Sequence, residues 1–386
     1  MIRILLFGAF LALVSWLLHR RLTRSLGLGP RGTRATGAAL VVAWLFALVG
    51  LGSGEVFDPA WARVPGWVGW VWLAVLLYLA LGLLLVAAGA GVARLVTTSP
   101  FGRRRVAPHE TDQSRRRVLR GATAAVVLAS FAAVGFGVAA AATPRIRRVR
   151  VPLRRLPAEF AGTRIALVTD LHVGPARGVG FTGKVAAAVA AERPDLILFG
   201  GDLVDGTVAM VGADLAPLAE LTASLGVYGV SGNHEFYAGD GGRWLDLWDR
   251  LGIHTLRNAR VELRRGDAVI DLAGIHDATS PAPFEPDLGA ALAGRDPDRF
   301  VLLLAHEPKQ AIEADDLGVD LQLSGHTHGG QMWPLGYLVP LQQPSVTGLD
   351  RIGGTVLYTS MGTGAWGPPV RVGAPPEITV IELVQA

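Results

Sequence analysis

The chain has 386 residues, of which 51% are hydrophobic and 18% are charged, and it contains no cysteine. This composition excludes a chain that is disordered throughout, and the lack of cysteine excludes disulfides, thiolate zinc sites and cysteine nucleophiles. Residues 1–150 carry 19 arginines against 4 acidic residues (net +15), whereas residues 151–386 carry 17 basic against 28 acidic residues (net −11). A nucleic-acid-binding protein concentrates positive charge on its folded domain, so this division disfavours nucleic acid as a partner and predicts a membrane half followed by a globular half.

Four apolar stretches in the first half predict transmembrane helices, at residues 4–18, 37–51, 67–93 and 121–142. A spanning helix needs about 20 apolar residues, which the last two stretches exceed and the first two do not reach. The first stretch also fits the apolar core of a signal peptide, and buried helices of a soluble protein are the alternative for all four. We expect a membrane region with about four transmembrane helices over residues 1–143, a linker over 144–160 and a globular domain over 161–386.

Arginine placement predicts which side of the membrane the globular half occupies. With four spans, the loops at 19–36 and 94–120 lie on one side and hold 13 arginines, against 8 on the other side. The positive-inside rule then predicts a multi-pass protein of the cell membrane with its globular half outside the cytoplasm. Residues 114–120 also resemble a twin-arginine export signal, and small residues near 140–142 fit a cleavage site; an ordinary basic flank is the alternative.

From about residue 151 the sequence alternates short β-rich runs with helical stretches, which predicts an α/β domain. The predicted strands are 164–169, 195–199, 227–230, 268–273, 300–305, 320–323, 355–359 and 378–383. The predicted helices are 183–192, 215–224, 243–251 and 308–314.

Polar side chains cluster directly after five of these strands. The five segments are Asp170-Leu171-His172, Gly201-Asp202-Leu203-Val204-Asp205, Gly232-Asn233-His234-Glu235, His306 and Gly325-His326-Thr327-His328. Ligands of open α/β sheets bind past the carboxyl ends of strands, so we expect these side chains to lie close together. Imidazole, carboxylate and amide oxygen without sulfur suit Mn, Fe or Zn. His326 and His328 can face one ion or divide between two, because residues two apart share a face of extended chain.

The order of these motifs resembles the calcineurin-like metallophosphoesterases, and residues 325–331, Gly-His-Thr-His-Gly-Gly-Gln, resemble their membrane-anchored bacterial branch. The resemblance covers about residues 150–385 and implies a four-layer αββα sandwich, with residues 161–386 as the catalytic domain. It also implies two divalent metal ions, which would be Mn, Fe or Zn. Carried over by position, it implies Asp170, His172 and His328 as ligands of the first ion, Asn233, His306 and His326 as ligands of the second, Asp202 as the bridge between them, and His234 as the catalytic residue that stabilises the transition state or protonates the leaving oxygen.

The resemblance implies a membrane-anchored dinuclear-metal phosphoesterase that hydrolyses phosphodiester or pyrophosphate bonds by attack of metal-activated hydroxide. Attachment to a membrane suggests a lipid or cell-envelope substrate. The expected partners are a membrane and a phosphorylated small-molecule or lipid substrate, and no protein partner is predicted. The alternative is a metal-binding membrane sensor or scaffold without turnover. His234 disfavours that alternative, because a protein that only binds has no need of a general acid.

Several further residues have weaker predicted roles. Asp205 is expected to orient a ligand or to cap the next turn, with the structural role favoured, and Glu235 is expected to support the metal ligands rather than to be one of them. His276 and Asp277 are candidates to line the substrate mouth, and Arg371 is a candidate to contact a phosphate. Aromatic residues near the motifs are expected either to receive an acyl chain or a base or, with a slight preference, to serve in packing; they are Phe236, Tyr237, Trp333, Tyr337 and Trp366.

Overall fold

The computed structural model describes residues 2–98 and 108–386, and the chain falls into two units. The first unit comprises Met1–Gly52 and Ala62–Phe136, and the second comprises Ser53–Trp61 and Gly137–Ala386. The basic loop predicted at 94–120 includes three arginines that lie outside the described residues, namely Arg103, Arg104 and Arg105.

Within the described residues, four long helices carry the apolar stretches of the sequence. They are α1 (Ile2–Leu26), α2 (Pro30–Gly52), α3 (Pro59–Thr98) and α4 (Pro108–Ala141). Each is long and apolar enough, by length and composition, to cross a membrane, which confirms the prediction of four apolar helices. Helix α1 extends beyond the predicted stretch 4–18, because arginines such as Arg20 and Arg24 have good helix propensity and continue it. Trp44 Nε1 of α2 donates to the Gly8 carbonyl of α1 over 2.9 Å and ties the two helices together.

Within residues 137–386, twelve strands form two six-stranded sheets. They are β1 (Arg145–Leu153), β2 (Arg164–Val168), β3 (Leu196–Phe199), β4 (Val227–Gly229), β5 (His254–Thr255), β6 (Ala259–Arg265), β7 (Ala268–Gly274), β8 (Val301–Leu304), β9 (Leu321–Ser324), β10 (Gly348–Ile352), β11 (Thr355–Thr359) and β12 (Glu377–Gln385). The strand orders are β1-β12-β2-β3-β4-β5 and β10-β11-β9-β8-β7-β6. β2 to β5 run parallel in the first sheet, and β7, β8, β9 and β11 run parallel in the second. The carboxyl ends of each parallel set therefore share one edge of their sheet.

Six shorter helices complete this unit within the described residues. They are α5 (Val179–Ala191), α6 (Val208–Val211), α7 (His234–Tyr237), α8 (Gly241–Arg250), α9 (Leu288–Ala291) and α10 (Ala311–Asp316). The helix predicted at 215–224 is instead a 3₁₀ helix at Gly212–Glu220. Pro217 lies inside it and lacks the backbone N–H that a continuous α-helix would need.

Hydrophobic cores lie between the two sheets and on both outer faces. The central core joins residues of both sheets, such as Ile165, Leu198, Leu302 and Tyr358. The outer core of the first sheet contains Val185 of α5 with Trp244 and Trp248 of α8, and that of the second contains Leu288 of α9 and Ala314 of α10. Burial of these apolar surfaces drives the layers together. The second unit is thus the predicted four-layer αββα sandwich.

Strand β1 occupies much of the linker that the sequence predicts over 144–160, so that prediction needs correction. Val151 and Leu153 of β1 are buried, whereas its arginines point outward and several pair with acidic side chains. Arg148 Nη2, for example, lies 2.6 Å from Glu192 Oε1. The four arginines of β1 obscure the alternation of apolar and polar residues by which a strand is recognised in a sequence. The domain therefore begins earlier than predicted.

A short segment between α2 and α3 also belongs to the second unit. The Gly54 carbonyl accepts a hydrogen bond from the Thr207 N–H over 3.0 Å. Gly54 has φ 88° and approaches the loop after β3 so closely that a Cβ at this position would lie 2.9 Å from the Asp205 carbonyl oxygen. The structure therefore places Ser53–Trp61 with the globular domain, whereas the sequence assigns it to the membrane region 1–143.

Candidate metal centre

The five predicted motifs follow strands of both sheets. The motifs that begin at Asp170, Asp202 and Asn233 follow β2, β3 and β4 of the first sheet. His306 and His326 follow β8 and β9 of the second sheet. The motifs converge where the carboxyl ends of the two sets of parallel strands meet, as expected for a ligand site of an α/β protein.

Within the described residues, imidazole and carboxylate side chains form three groups in which the ligating atoms lie within 4.8 Å of one another. The groups are Asp170 with His172 and His328, Asp202 with His306 and His326, and His172 with Asp205 and His234. The first group contains the three residues that the sequence assigns to the first ion. The second group brings the predicted bridging residue beside two of the three residues assigned to the second ion.

The first group is buried and compact. His172 Nε2 lies 3.0 Å from His328 Nε2, and His328 Nε2 lies 3.4 Å from Asp170 Oδ1. The Thr169 hydroxyl donates to Asp170 Oδ2 over 2.6 Å and holds that carboxylate in place. Three buried ligating atoms that converge in this way are arranged as a cation would require.

Asn233 lines the same cavity as Asp202 and His326 of the second group and carries a buried polar atom without a partner in the described chain. Asp202 Oδ2 lies 3.2 Å from His306 Nε2, which in turn lies 3.2 Å from His326 Nδ1. Asn233 Nδ2 donates to the Tyr237 hydroxyl over 2.7 Å, but Asn233 Oδ1 is buried and has no hydrogen-bond partner within the described chain. Such an oxygen is costly unless a cation or another donor satisfies it. The donor set and this oxygen fit a divalent metal ion.

Asp202 belongs to the second group and also lies near His172 of the first. Its Oδ2 is 3.2 Å from His306 Nε2 and 3.9 Å from His172 Nε2. Burial favours the neutral carboxyl, but the imidazoles of His306, His234 and His172 outweigh burial and hold the pKa of Asp202 well below its usual range. The carboxylate is therefore ionised, and it is close enough to both groups to act as a ligand shared between them.

The backbone of the centre is strained at the residues that carry its chemistry. Five of them have positive φ angles, namely Asp170 (56°), His172 (48°), Asp202 (53°), His326 (69°) and His328 (53°). A non-glycine residue in this region costs about 1–3 kcal/mol, so the surrounding structure must hold these conformations. Strain of this kind concentrated in one place is typical of a functional site.

Two glycines allow the close approach of these segments. A Cβ at position 232 would lie 2.2 Å from Asp202 Oδ1, and a Cβ at position 325 would lie 2.3 Å from Asp170 Oδ2. Both distances are far below van der Waals contact. The glycines at the start of the predicted motifs therefore provide space for the carboxylates.

Asp205 orients two imidazoles at once. Its Oδ1 lies 2.9 Å from His172 Nδ1 and 2.6 Å from His234 Nδ1. An imidazole that donates its Nδ1–H to a carboxylate keeps Nε2 available for a metal ion or a substrate, which is a common arrangement around metal ligands. Burial raises the pKa of Asp205, but the two imidazoles outweigh it and lower that pKa. The sequence favours a structural role for Asp205, and the contacts indicate an orienting one.

His234 faces the same centre without belonging to either predicted ligand set. Burial lowers its pKa, but the carboxylates of Asp202 and Asp205 outweigh burial and raise the pKa of His234 to about 9. Its Nε2 lies 4.0 Å from Asp202 Oδ2. A protonated imidazole held in this position is suited to donate a proton.

Glu235 fixes the loops rather than facing the centre. Its carboxylate accepts hydrogen bonds from the backbone N–H groups of Gly232, Asp202 and Leu203 over 2.7, 3.0 and 2.8 Å. Burial and the nearby Asp202 raise the pKa of Glu235 to about 8, and the backbone donors oppose them. Glu235 thus ties the loop after β4 to the loop after β3, in agreement with its expected structural role.

Arg371 is buried and cannot contact a phosphate, so that weaker prediction is wrong. Its Nη2 donates to Gly364 O over 2.7 Å and lies 2.9 Å from His328 Nδ1, and its Nη1 donates to His328 O over 2.8 Å. Burial and the nearby Arg177 lower the pKa of Arg371 to about 9. The guanidinium holds the His328 ring so that Nε2 faces Asp170 and His172. Its position in a Gly/Pro-rich tail did not indicate this role.

We expect Arg371→Met to weaken metal binding at the first group by about 10- to 100-fold, because residues that orient a ligand typically contribute that much to affinity. Titration of the metal against a chelator measures the change. Arg243→Met is the matched control, since the Arg243 side chain is 68% exposed and pairs with Asp240 at the surface. Equal metal affinity in both variants would show that Arg371 does not position His328.

A cavity of about 460 Å³ opens onto the centre and has two different ends. Its polar end is formed by Asp202, Asn233, His234, His326 and His328. The rest of its lining is mostly apolar and includes Met332, Leu335, Leu338, Val339, Trp366 and Pro368, together with Gln331, Gln342 and Gln343. No lysine or arginine of the described residues lines it.

Of the remaining weaker predictions, the structure supports some and contradicts others. His276 and Asp277 are buried and do not belong to the described lining of the cavity. His276 Nδ1 instead lies 3.0 Å from the Ser231 hydroxyl. Phe236 packs against Phe284, with ring centroids 5.3 Å apart, and therefore serves in packing.

Comparison with known proteins identifies relatives of this domain. The calcineurin-like phosphoesterase family matches residues 163–330. The chain is 36% identical over 289 residues to a transmembrane protein with metallophosphoesterase domain from Bos taurus, and this match covers 71% of the chain and 65% of the relative. It is 32% identical over 247 residues to an uncharacterized metallophosphoesterase of Aquifex aeolicus (62% and 91% covered) and 30% identical over 282 residues to the uncharacterized metallophosphoesterase YkuE of Bacillus subtilis (70% and 97% covered).

These matches differ in extent. The chain spans slightly less than two thirds of the bovine relative but nearly the whole of the two bacterial relatives. The range 163–330 contains all of the predicted metal ligands, from Asp170 to His328. Because identity of 30% or more extends over nearly the full length of two proteins named as metallophosphoesterases, the chain belongs to the calcineurin-like metallophosphoesterase family.

Proposed function

We propose that the chain is a membrane-anchored dinuclear-metal phosphoesterase that hydrolyses phosphodiester or pyrophosphate bonds. The observation that carries this proposal is the pair of ligand groups on either side of Asp202, together with the unpartnered Asn233 Oδ1. Two cations a few ångströms apart suit the in-line displacement at phosphorus, which has both an attacking and a leaving oxygen.

The proposed ligands are the first two groups together with Asn233, whose side-chain oxygen is buried and without a partner in the described chain. Asp170, His172 and His328 would hold one ion, and Asn233, His306 and His326 would hold the other, with Asp202 shared between them. When bound, divalent ions such as Mn, Fe or Zn supply Lewis-acid stabilisation of the charge on the phosphoryl group. The remaining chemistry belongs to side chains of the chain itself.

His234 is the proposed proton donor. Its Nδ1 is held by Asp205 at 2.6 Å, and the ring lines the polar end of the cavity. The proton on Nε2 is therefore the one directed toward a bound substrate. Transfer of that proton to the leaving oxygen would prevent an unstable alkoxide from forming, and the ring would regain a proton from solvent water before the next cycle.

We test this proposal with the full chain in lipid nanodiscs and the chromogenic diester bis(p-nitrophenyl) phosphate. Hydrolysis should require added Mn²⁺, stop on addition of a chelator and return when Mn²⁺ is restored. Elemental analysis should find about two metal ions per chain, as a dinuclear mechanism requires. Two bound ions without hydrolysis of this diester or of an aryl pyrophosphate diester would instead support the alternative of a metal-binding sensor.

We also propose that the protein is multi-pass and that its catalytic domain lies outside the cytoplasm. The support is the set of four apolar helices and the excess of arginine in the loops at 19–36 and 94–120. Alkaline phosphatase fused after Ala386 should be active in cells, since that reporter folds only outside the cytoplasm. An inactive fusion that is present at full length would contradict the orientation.

A further inference from the structure

The cavity beside the metal centre continues into an exposed apolar surface. The segment from Trp333 to Leu341 contains a 3₁₀ helix, Leu335–Leu341, and most of its large side chains are not buried. The exposed side chains of this surface are Trp333 (60%), Tyr337 (76%), Leu338 (58%), Leu341 (79%) and Trp366 (57%). The surfaces of soluble proteins rarely carry several large apolar side chains close together, and a patch of this kind usually marks a binding site.

This surface is continuous with the candidate catalytic site. Leu335, Leu338 and Val339 line the same cavity as Asp202 and His234. A ligand whose polar group lies at the metal centre therefore has an apolar wall within reach of its remaining part. The exposed apolar surface is therefore related to the reaction because its residues border the same cavity as the metal centre.

Trp366 is fixed at the boundary between the polar and apolar ends. The two atoms of the Gln331 side-chain amide bind its backbone, with Nε2 donating to Trp366 O over 2.7 Å and Oε1 accepting from Trp366 N over 2.9 Å. The indole ring lies edge-on to His234, with ring centroids 6.1 Å apart. The boundary is thus built by specific bonds and is not an incidental loop contact.

The charges of the residues that line the cavity limit which substrates the site can bind. Since no lysine or arginine of the described chain lines it, the metal centre is the main source of positive charge for a substrate. Nucleotides and other polyphosphorylated ligands usually need further cationic side chains for their additional charge. A ligand with a phosphoester at one end and a hydrocarbon at the other fits both ends of the cavity.

We propose that the apolar wall at Leu335, Leu338 and Val339 binds an acyl chain, so that the substrate is a lipid phosphoester whose phosphate lies at the metal centre. This inference rests on the phosphoesterase activity proposed above. A chain with four helices able to cross a membrane is held where such lipids are concentrated. Trp366 and Trp333 would flank the point at which the lipid enters, as amphipathic aromatic residues do at membrane interfaces.

The test compares p-nitrophenyl methyl, butyl and octyl phosphates as substrates of the full chain in nanodiscs, below the concentration at which the esters aggregate. All three release the same leaving group, so differences in kcat/KM report binding of the alkyl chain. Burial of each methylene is expected to raise kcat/KM about two- to fourfold, which gives at least about a 10²-fold octyl-to-methyl ratio. A ratio near one, with the methyl ester hydrolysed, would overturn the inference and leave the proposed function intact.

A matched pair of variants locates the binding surface. Leu338→Gln removes a wall residue that is 58% exposed, and Ile312→Gln removes an equally exposed residue of α10 outside the described lining of the cavity. We expect Leu338→Gln to reduce the octyl-to-methyl ratio about tenfold and Ile312→Gln to change it less than twofold. Because the readout is a ratio, a general loss of folded enzyme does not affect it. An unchanged ratio in Leu338→Gln would overturn the inference.

Further controls test whether this surface binds a bilayer or a second copy of the chain instead of a substrate chain. If Leu338→Gln lowers the ratio in nanodiscs but not in short-chain detergent, the surface docks on the bilayer and does not bind a substrate chain. If Leu338→Gln converts a dimer to a monomer, the surface joins two copies of the chain, which also overturns the inference. If the wild type hydrolyses no ester, the proposed function fails. The affinities of metal-loaded protein for octylphosphonate and methylphosphonate, measured in competition, then decide whether the apolar wall binds an alkyl chain. Equal affinity for the two phosphonates would overturn the inference.

Discussion

Replacement of Asp202 by asparagine is expected to lower phosphodiester hydrolysis by on the order of 10³-fold or more and to reduce bound metal from two ions to one or fewer. The amide keeps the size of the carboxylate but removes its negative charge. Asp202 Oδ2 lies within 4.0 Å of the imidazoles of His172, His234 and His306, so its charge reaches a histidine of each proposed ligand set. Two cations brought close together repel each other unless a shared anion offsets the repulsion.

The measurement pairs kcat/KM with elemental analysis of the same preparation. Asp246→Asn is the matched control, because its side chain is 57% exposed and pairs with Arg257 at the surface. That control should retain wild-type activity and metal content. An Asp202→Asn protein that keeps both ions and more than a tenth of the activity would refute the role of Asp202 as a bridge.

Replacement of His234 by alanine is expected to lower kcat by a factor of about 10²–10⁴, the usual contribution of a general acid, while both metal ions remain bound. Retention of the metals is expected because His234 belongs to neither proposed ligand set. The loss should be larger for a phenyl ester than for a p-nitrophenyl ester. A poorer leaving group develops more negative charge on its oxygen and gains more from a proton.

His254→Ala is the control for this variant, since His254 lies in β5 and is exposed. Loss of metal from His234→Ala would assign the ring to coordination instead. An equal loss for both leaving groups would be evidence for electrostatic stabilisation of the transition state and against proton donation. The two measurements therefore distinguish the roles that the sequence leaves open for this histidine.

The parts of the site that the sequence predicts depend on short stretches of chain. Strands such as β3 and β8 are continuous apolar runs, as is typical of buried parallel strands, and each is followed at once by its polar motif. Spacing within a motif therefore indicates where Asp202 or His306 lies relative to the edge of the sheet. The αββα sandwich itself was expected from the family resemblance and is the observed fold.

The parts that the sequence does not predict depend on contacts between distant residues. Arg371 meets His328 across 43 positions, and its four carbonyl partners become a binding site for a guanidinium only after the tail has folded. Strand β1 is recognisable only once β12 provides its partner, since its arginines resemble a membrane flank. Gln331 and Trp366 likewise become a pair only in the folded domain.

The pairing of Ser53–Trp61 with the globular domain limits how the chain can be threaded through a bilayer. This segment ends in the first turn of α3, and the rest of the domain begins at Gly137 near the end of α4, yet both belong to one folded unit. A chain that leaves a folded body on one face of a bilayer and rejoins it on that face must cross an even number of times. If α3 crosses, α4 must cross back, and every topology with an odd number of crossings between Trp61 and Gly137 is incompatible with the hydrogen bond from Thr207 to Gly54.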